Sequence, residues 1–177
     1  MTNSGSGTIQ LVNSNTPPPS LTGAIVMSPS LPADAQAALR TQEQTFITEL
    51  KAAPTRVDLW LQLGVTRKIA GDYAGAEAAW QYVAATGPTS INYVAYGDLG
   101  DIYMNFDVNY PKAESNYKAA IAINPTIIDY YKDLAMLYSS FYKTNQGLAT
   151  SIVAQGLKAN PNNSDLLQLQ AQLKANQ

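Results

Sequence analysis

The chain contains no cysteine and no histidine. Without cysteine there is no disulfide, no thiol nucleophile and no thiolate metal site. Without histidine the usual general base near neutral pH is missing, together with the commonest transition-metal ligand and every Ser-His or Cys-His arrangement. Charge is scarce as well: Asp, Glu, Lys and Arg make up 14% of 177 residues, against about 25% in ordinary soluble domains. The eleven Lys and Arg are scattered between Arg40 and Lys174 in a chain of net charge −2, so the clustered basic surface that nucleic acid requires is absent. No glycine-rich phosphate cradle is present. No run of 18 apolar residues is present to span a membrane. These absences predict a protein that is not an enzyme, uses no cofactor or metal, does not bind nucleic acid and does not cross a bilayer.

Apolar residues form 46% of the chain, enough to build a core in one domain of this size. The outer surface must then be made of Asn, Gln, Ser, Thr and Tyr rather than charge. That composition favours an extracellular or cell-surface setting over the cytoplasm. Residues 1–30 lack the basic start and continuous apolar core of a secretory signal, so export predicts a mature form from which the signal has gone. Asn162-Asn163-Ser164 is a lone N-glycosylation triplet, and Thr16 and Ser20 flank a triple proline in a mucin-like manner.

A pattern returns three times between Trp60 and Pro161. Trp60-x2-Leu63-Gly64 leads through Tyr73, Ala76 and Trp80 to Pro88; Tyr96-x2-Leu99-Gly100-x2-Tyr103 leads through Ala113 and Tyr117 to Pro125; Tyr131-x2-Leu134-Ala135-x2-Tyr138 leads through Ala149 and Val153 to Pro161. Pro54, Pro88, Pro125 and Pro161 are 34, 37 and 36 residues apart. An aromatic, a Leu-Gly/Ala pair and a closing proline at this period resemble the tetratricopeptide repeat. The resemblance implies an all-α, right-handed helical solenoid: repeats over about 55–88, 89–125 and 126–161, a leading helix over 34–53 and a closing helix over 164–175 capped by Ser164. Small residues at Gly64 and Ala76 suit a close helix crossing. The spacing from Leu63 to Ala76 is 13 residues, from Leu99 to Ala113 it is 14 and from Leu134 to Ala149 it is 15, so the second and third turns are longer than the first.

The family's ligand groove is lined by the first helix of each pair. By that resemblance the groove positions are Leu61, Val65 and Lys68, then Gly97, Asp101 and Met104, then Lys132, Met136 and Ser139. The Lys and Asn with which some members clamp acidic chaperone tails are replaced here by Leu61 and Val65, so that clamp is missing and the floor reads as apolar or small. Asp98 with Asp101, and Asp129 with Lys132 and Asp133, share helix faces and read as solvated surface. Tyr82, Tyr93, Tyr110, Tyr130 and Tyr142 fall off the motif and are candidates for an assembly contact.

Residues 1–33 contain no charged side chain. Pro17-Pro18-Pro19 enforces an extended course, and two apolar runs interrupt the Ser/Asn/Gly background. Their large members, Ile9, Leu11 and Val12, then Ile25, Val26 and Met27, are the expected contacts of an arm that docks on another copy of the protein. The expectation is a non-enzymatic structural subunit whose arm meets a neighbour, propagating as a fibre or other homopolymer. The alternative is a monomeric adaptor holding a peptide of another protein in its concave groove.

Overall fold

Side-chain caps and prolines divide this chain into helices before any tertiary contact does. In the computed structural model, which describes residues 16–142 and 145–175, α1 spans Ala33–Ala52, α2 Val57–Ala70, α3 Tyr73–Thr86, α4 Thr89–Asn105, α5 Tyr110–Ile123, α6 Ile128–Met136, α7 Gln146–Ala159 and α8 Ser164–Ala175. No strand occurs among the described residues, and the protein is all-α as the pattern predicts. An Asx side chain opens four of the helices by accepting a backbone N–H three residues on. Asp72 accepts from Gly75 at 3.1 Å, Asn109 from Lys112 at 3.3 Å, Asn145 from Leu148 at 3.1 Å and Asn163 from Leu166 at 3.0 Å. Each cap is worth about 1 kcal/mol. Asn163 therefore takes the role expected of Ser164, which already lies inside the first turn of α8.

Each helix packs mainly on the one before and the one after it in the chain, with α6 also touching α8. Trp60, Leu63, Trp80, Ile102, Tyr117, Tyr131, Leu134, Val153 and Leu166 are fully enclosed between them. The two glycines of the Leu-Gly pairs permit this. A Cβ on Gly64 would lie 2.3 Å from the indole nitrogen of Trp80, and one on Gly100 would lie 2.7 Å from the Tyr117 ring. The aromatic polar tips are answered locally: Trp60 Nε1 donates to the Pro54 carbonyl at 2.8 Å and Tyr131 Oη to the Pro125 carbonyl at 3.1 Å. Tyr103 donates to Glu77 and Tyr138 to Glu114, the latter at 2.6 Å. Burial, and then the Glu77 carboxylate, push the Tyr103 phenol up to about 12.

Between α1 and α2 lies an ion pair that the repeat pattern did not foretell. Arg67 donates from Nε at 3.2 Å and Nη2 at 3.0 Å to Glu43 Oε1, with Asp72 Oδ2 at 3.8 Å, and all three side chains are buried. The N-terminal segment reaches the same corner. The Ser28 N–H donates to the Ala70 carbonyl at 2.7 Å. Ile25 is buried against Leu39 and Ala70, with Met27 and Leu31 packed around them, and Leu21 rests on the main core. From Leu21 onward the segment is thus attached to its own body. It passes over Gly71, whose φ of 90° closes the α2–α3 turn in the left-handed region.

The longer turns solve their excess length differently. In the second, Val108 takes φ 52°, a left-handed conformation that a β-branched residue adopts only under strain. In the third, α6 widens into a π-helical turn over Leu137–Phe141, closed by a Tyr142 N–H to Leu137 carbonyl bond of 2.7 Å.

Candidate functional site

Two surfaces stand apart from the rest. The first is a face shared by every second helix. Lys68 of α2 pairs with Asp101 of α4. Gly97 of α4 receives the Tyr130 ring of α6, which would lie 2.2 Å from any Cβ there. Lys132 of α6 lies 3.4 Å from Asp129 and 3.5 Å from Asp165 of α8. A groove of about 560 Å³ between α6 and α8 is lined by Lys132, Asp133, Met136, Ser139, Asp165, Gln168, Leu169 and Gln172.

Most groove positions inferred from the resemblance fall on or beside this face, but its chemistry differs from the expectation. Val65 and Met136 are exposed and Leu61 is half-buried against the core, while Met104 is buried and offers nothing to a ligand. The floor is acidic rather than apolar. It carries Asp98, Asp101, Asp129, Asp133 and Asp165, and among the described residues Lys68 pairs with Asp101 while Lys132 is engaged with Asp129 and Asp165. Asp98 and Asp133, read from sequence as solvated, are half-buried. Burial pushes each carboxyl up to about 6; for Asp133 the neighbouring Asp101 and Asp129 push the same way, while Lys68 opposes the shift in Asp98. The Tyr117 hydroxyl of α5 is buried without a hydrogen-bond partner. Its phenol is raised by burial and then by Asp133, Asp101 and Asp98. Tyr130 is raised by burial and then by Asp98.

The second surface is the edge that carries the α2–α3, α4–α5 and α6–α7 turns. Ile69, Phe106, Val108, Phe141 and Leu148 are all exposed there, Val108 to 60% and Ile69 to 58%. Tyr73 and Phe106 stack with centroids 4.0 Å apart, and Tyr110 lies 6.1 Å from both Phe141 and Tyr142, so aromatic contacts tie the three turns together. Val26, exposed to 61%, stands on the segment that crosses the first of these turns. Nothing in the repeat motif flags Ile69, Phe106 or Val108; the one sequence signal was the extra residue in the second turn.

The remaining expectations divide. Ile25 was expected to meet a neighbour, but it is buried on this chain's own α1 and α2; Met27 packs on the same cluster, leaving Val26 as the exposed member of that run. The cause is proximity: residues 25–28 adjoin the apolar gap beside Ala70. Ile9, Leu11 and Val12 lie outside the described residues. Tyr82 is a core residue, edge-on to Trp60 at 5.5 Å, rather than a candidate for assembly. Tyr110 and Tyr142 belong to the turn edge and Tyr130 to the acidic face. No helix is long and apolar enough to cross a membrane among the described residues.

Compared with known proteins, the chain matches no family model and no curated sequence.

Proposed function

We propose that this protein is a non-enzymatic structural scaffold: a tetratricopeptide-like solenoid of stacked helix pairs that self-associates through its N-terminal arm into a fibre or other homopolymer. Packing of each helix on its chain neighbours supports the solenoid reading. The observation that carries self-association is the apolar turn edge, and Val108 within it. An exposed valine at φ 52° costs about 1–3 kcal/mol in backbone strain while leaving its side chain in water. A covering surface offsets that cost.

The chain holds a segment of matching character. Thr8 to Val12 is uncharged and carries Ile9, Leu11 and Val12, so it gains apolar contact on the turn edge and gains nothing on the acidic face. Stiff Pro17-Pro18-Pro19 opposes folding that run back onto its own body, which leaves the edge of a neighbouring copy as the target. Such a contact joins two different surfaces and propagates without closing.

Negative-stain microscopy and light scattering on the full chain, a deletion of residues 2–15 and Val108→Asn test this. Asn tolerates the left-handed region, so Val108→Asn is expected to unfold about 1 kcal/mol less readily as a monomer and yet to polymerise less. Polymers unchanged by both alterations, or a full chain that stays monomeric at high concentration, would overturn the proposal.

A further inference from the structure

The α7–α8 turn, residues 160–163, holds three asparagines, and the fold uses two of them. Asn160 Nδ2 donates to the Pro125 carbonyl at 3.2 Å and to the Gly156 carbonyl at 3.4 Å, tying this turn to the one between α5 and α6. Asn163 Oδ1 caps α8 by accepting from the Leu166 N–H at 3.0 Å. Asn162 is exposed, and its side chain has no hydrogen bond among the described residues. Ser164, two residues on, is exposed as well, and its hydroxyl donates to the adjacent Asp165 carboxylate at 3.4 Å. Since Asn163 supplies the helix cap, neither Asn162 nor the Ser164 hydroxyl is committed to holding the turn.

We propose that Asn162 is the acceptor of an N-linked glycan. Asn162-Asn163-Ser164 is the one Asn-x-Ser/Thr triplet in the chain whose middle residue is not proline. Asn124-Pro125-Thr126, at the α5–α6 turn, is closed by its proline. In the transfer, Asn162 Nδ2 forms a bond to the anomeric carbon of a lipid-pyrophosphate-linked oligosaccharide and gives up one proton. The bond from that carbon to the phosphate oxygen breaks, and the lipid pyrophosphate leaves with the electron pair. The Ser164 hydroxyl is the group by which the transferase reads the acceptor.

The place suits a bulky hydrophilic group. The α6–α7 turn lies at the start of α7 and the α7–α8 turn at its end, and 14 residues of helix separate them by about 20 Å. A glycan on Asn162 thus stands on the edge opposite Phe141 and Leu148. It leaves the apolar turn edge open and solvates a surface poor in charge. The inference rests on the exported setting that the composition favours and not on polymerisation: mass reads the glycan and microscopy reads the polymer, so either can fail without the other.

The full chain, behind a cleavable secretion signal, is translated in a cell-free system with microsomes, and protease protection selects the translocated product. That product is expected to be heavier by one core glycan. Peptide N-glycosidase should remove the increment and leave an aspartate at position 162 in the peptide mass spectrum. Asn162→Gln and Ser164→Ala should each reduce the glycosylated fraction at least tenfold, while Ser164→Thr keeps it. Purified Ser164→Ala should also hold the parent's urea midpoint, which loss of a helix cap would lower. A translocated parent without the increment, an increment that survives Asn162→Gln or Ser164→Ala, a glycan found on Asn124, or a lowered midpoint for Ser164→Ala would each overturn the proposal.

Discussion

Asp98→Asn removes one carboxylate from a half-buried position where the fold resists its charge. Burial raises that carboxyl from an ordinary 3.8 to about 6, with Lys68 offsetting part of the rise and Asp101 adding to it. A difference of about two pH units corresponds to about 2.7 kcal/mol between the protonation states in a fully shielded site. Asp98 is half-buried rather than enclosed, so we take about 1–2 kcal/mol. The sign follows from proton counting. Between about pH 4 and 6 the folded chain holds this proton while the unfolded chain has released it, so stability falls as pH rises through that window and the full cost is present above it. Asparagine carries no charge at any pH. Urea denaturation followed by circular dichroism near pH 7.5 should therefore show the variant more stable than the parent by about 1–2 kcal/mol, at protein concentrations where both are monomeric. Near pH 4 the two should differ little, and added salt should narrow the gap at pH 7.5. A variant less stable at pH 7.5, or a gain of equal size at both pH values, would refute the argument that burial strains this carboxylate.

Other consequences concern the helix contacts. Glu43→Ala removes both hydrogen bonds of the buried Arg67 guanidinium and leaves it Asp72 Oδ2 at 3.8 Å, and denaturation should show a loss of about 3 kcal/mol; adding Arg67→Met should recover part of that loss, because Asp72 then loses its cation. Gly64→Ala places a Cβ 2.3 Å from Trp80, and overpacking should cost about 1–3 kcal/mol, read as a lower Tm with the Trp fluorescence shifted to the red. An unchanged Tm would mean that α2 and α3 do not cross at this glycine.

Much of the helical layout was legible because its signals are local. The bounds of α2 and α3, 57–70 and 73–86, follow from the apolar spacing and the Gly71-Asp72 break, and α1 begins one residue before its expected start at Asp34. Trp60, Leu63 and Trp80, three members of the first repeat's pattern, are enclosed. The site was less legible. The resemblance put Asp101, Lys132 and Met136 on one face, and Asp98 and Asp133 each stand one residue before the repeat's Leu99 and Leu134, but how far a carboxylate is buried depends on the helices packed around it. The turn edge escaped for another reason: exposed apolar residues at turns carry no period, and a left-handed valine has no signature among its neighbours in the chain.

The sequence by itself determined where helices start and stop, which residues must be small where helices cross, and that the chemistry of thiols and imidazoles is closed to this protein. Those outcomes depend on caps, prolines and side-chain size, all of which act within a few residues. Only the tertiary structure decided that Ile25 is spent on its own chain, that Arg67 finds Glu43 24 residues away, and that Asp98 and Asp133 are half-buried rather than solvated. Burial and charge proximity are properties of chain segments brought together from a distance, and no local reading of residue order contains them.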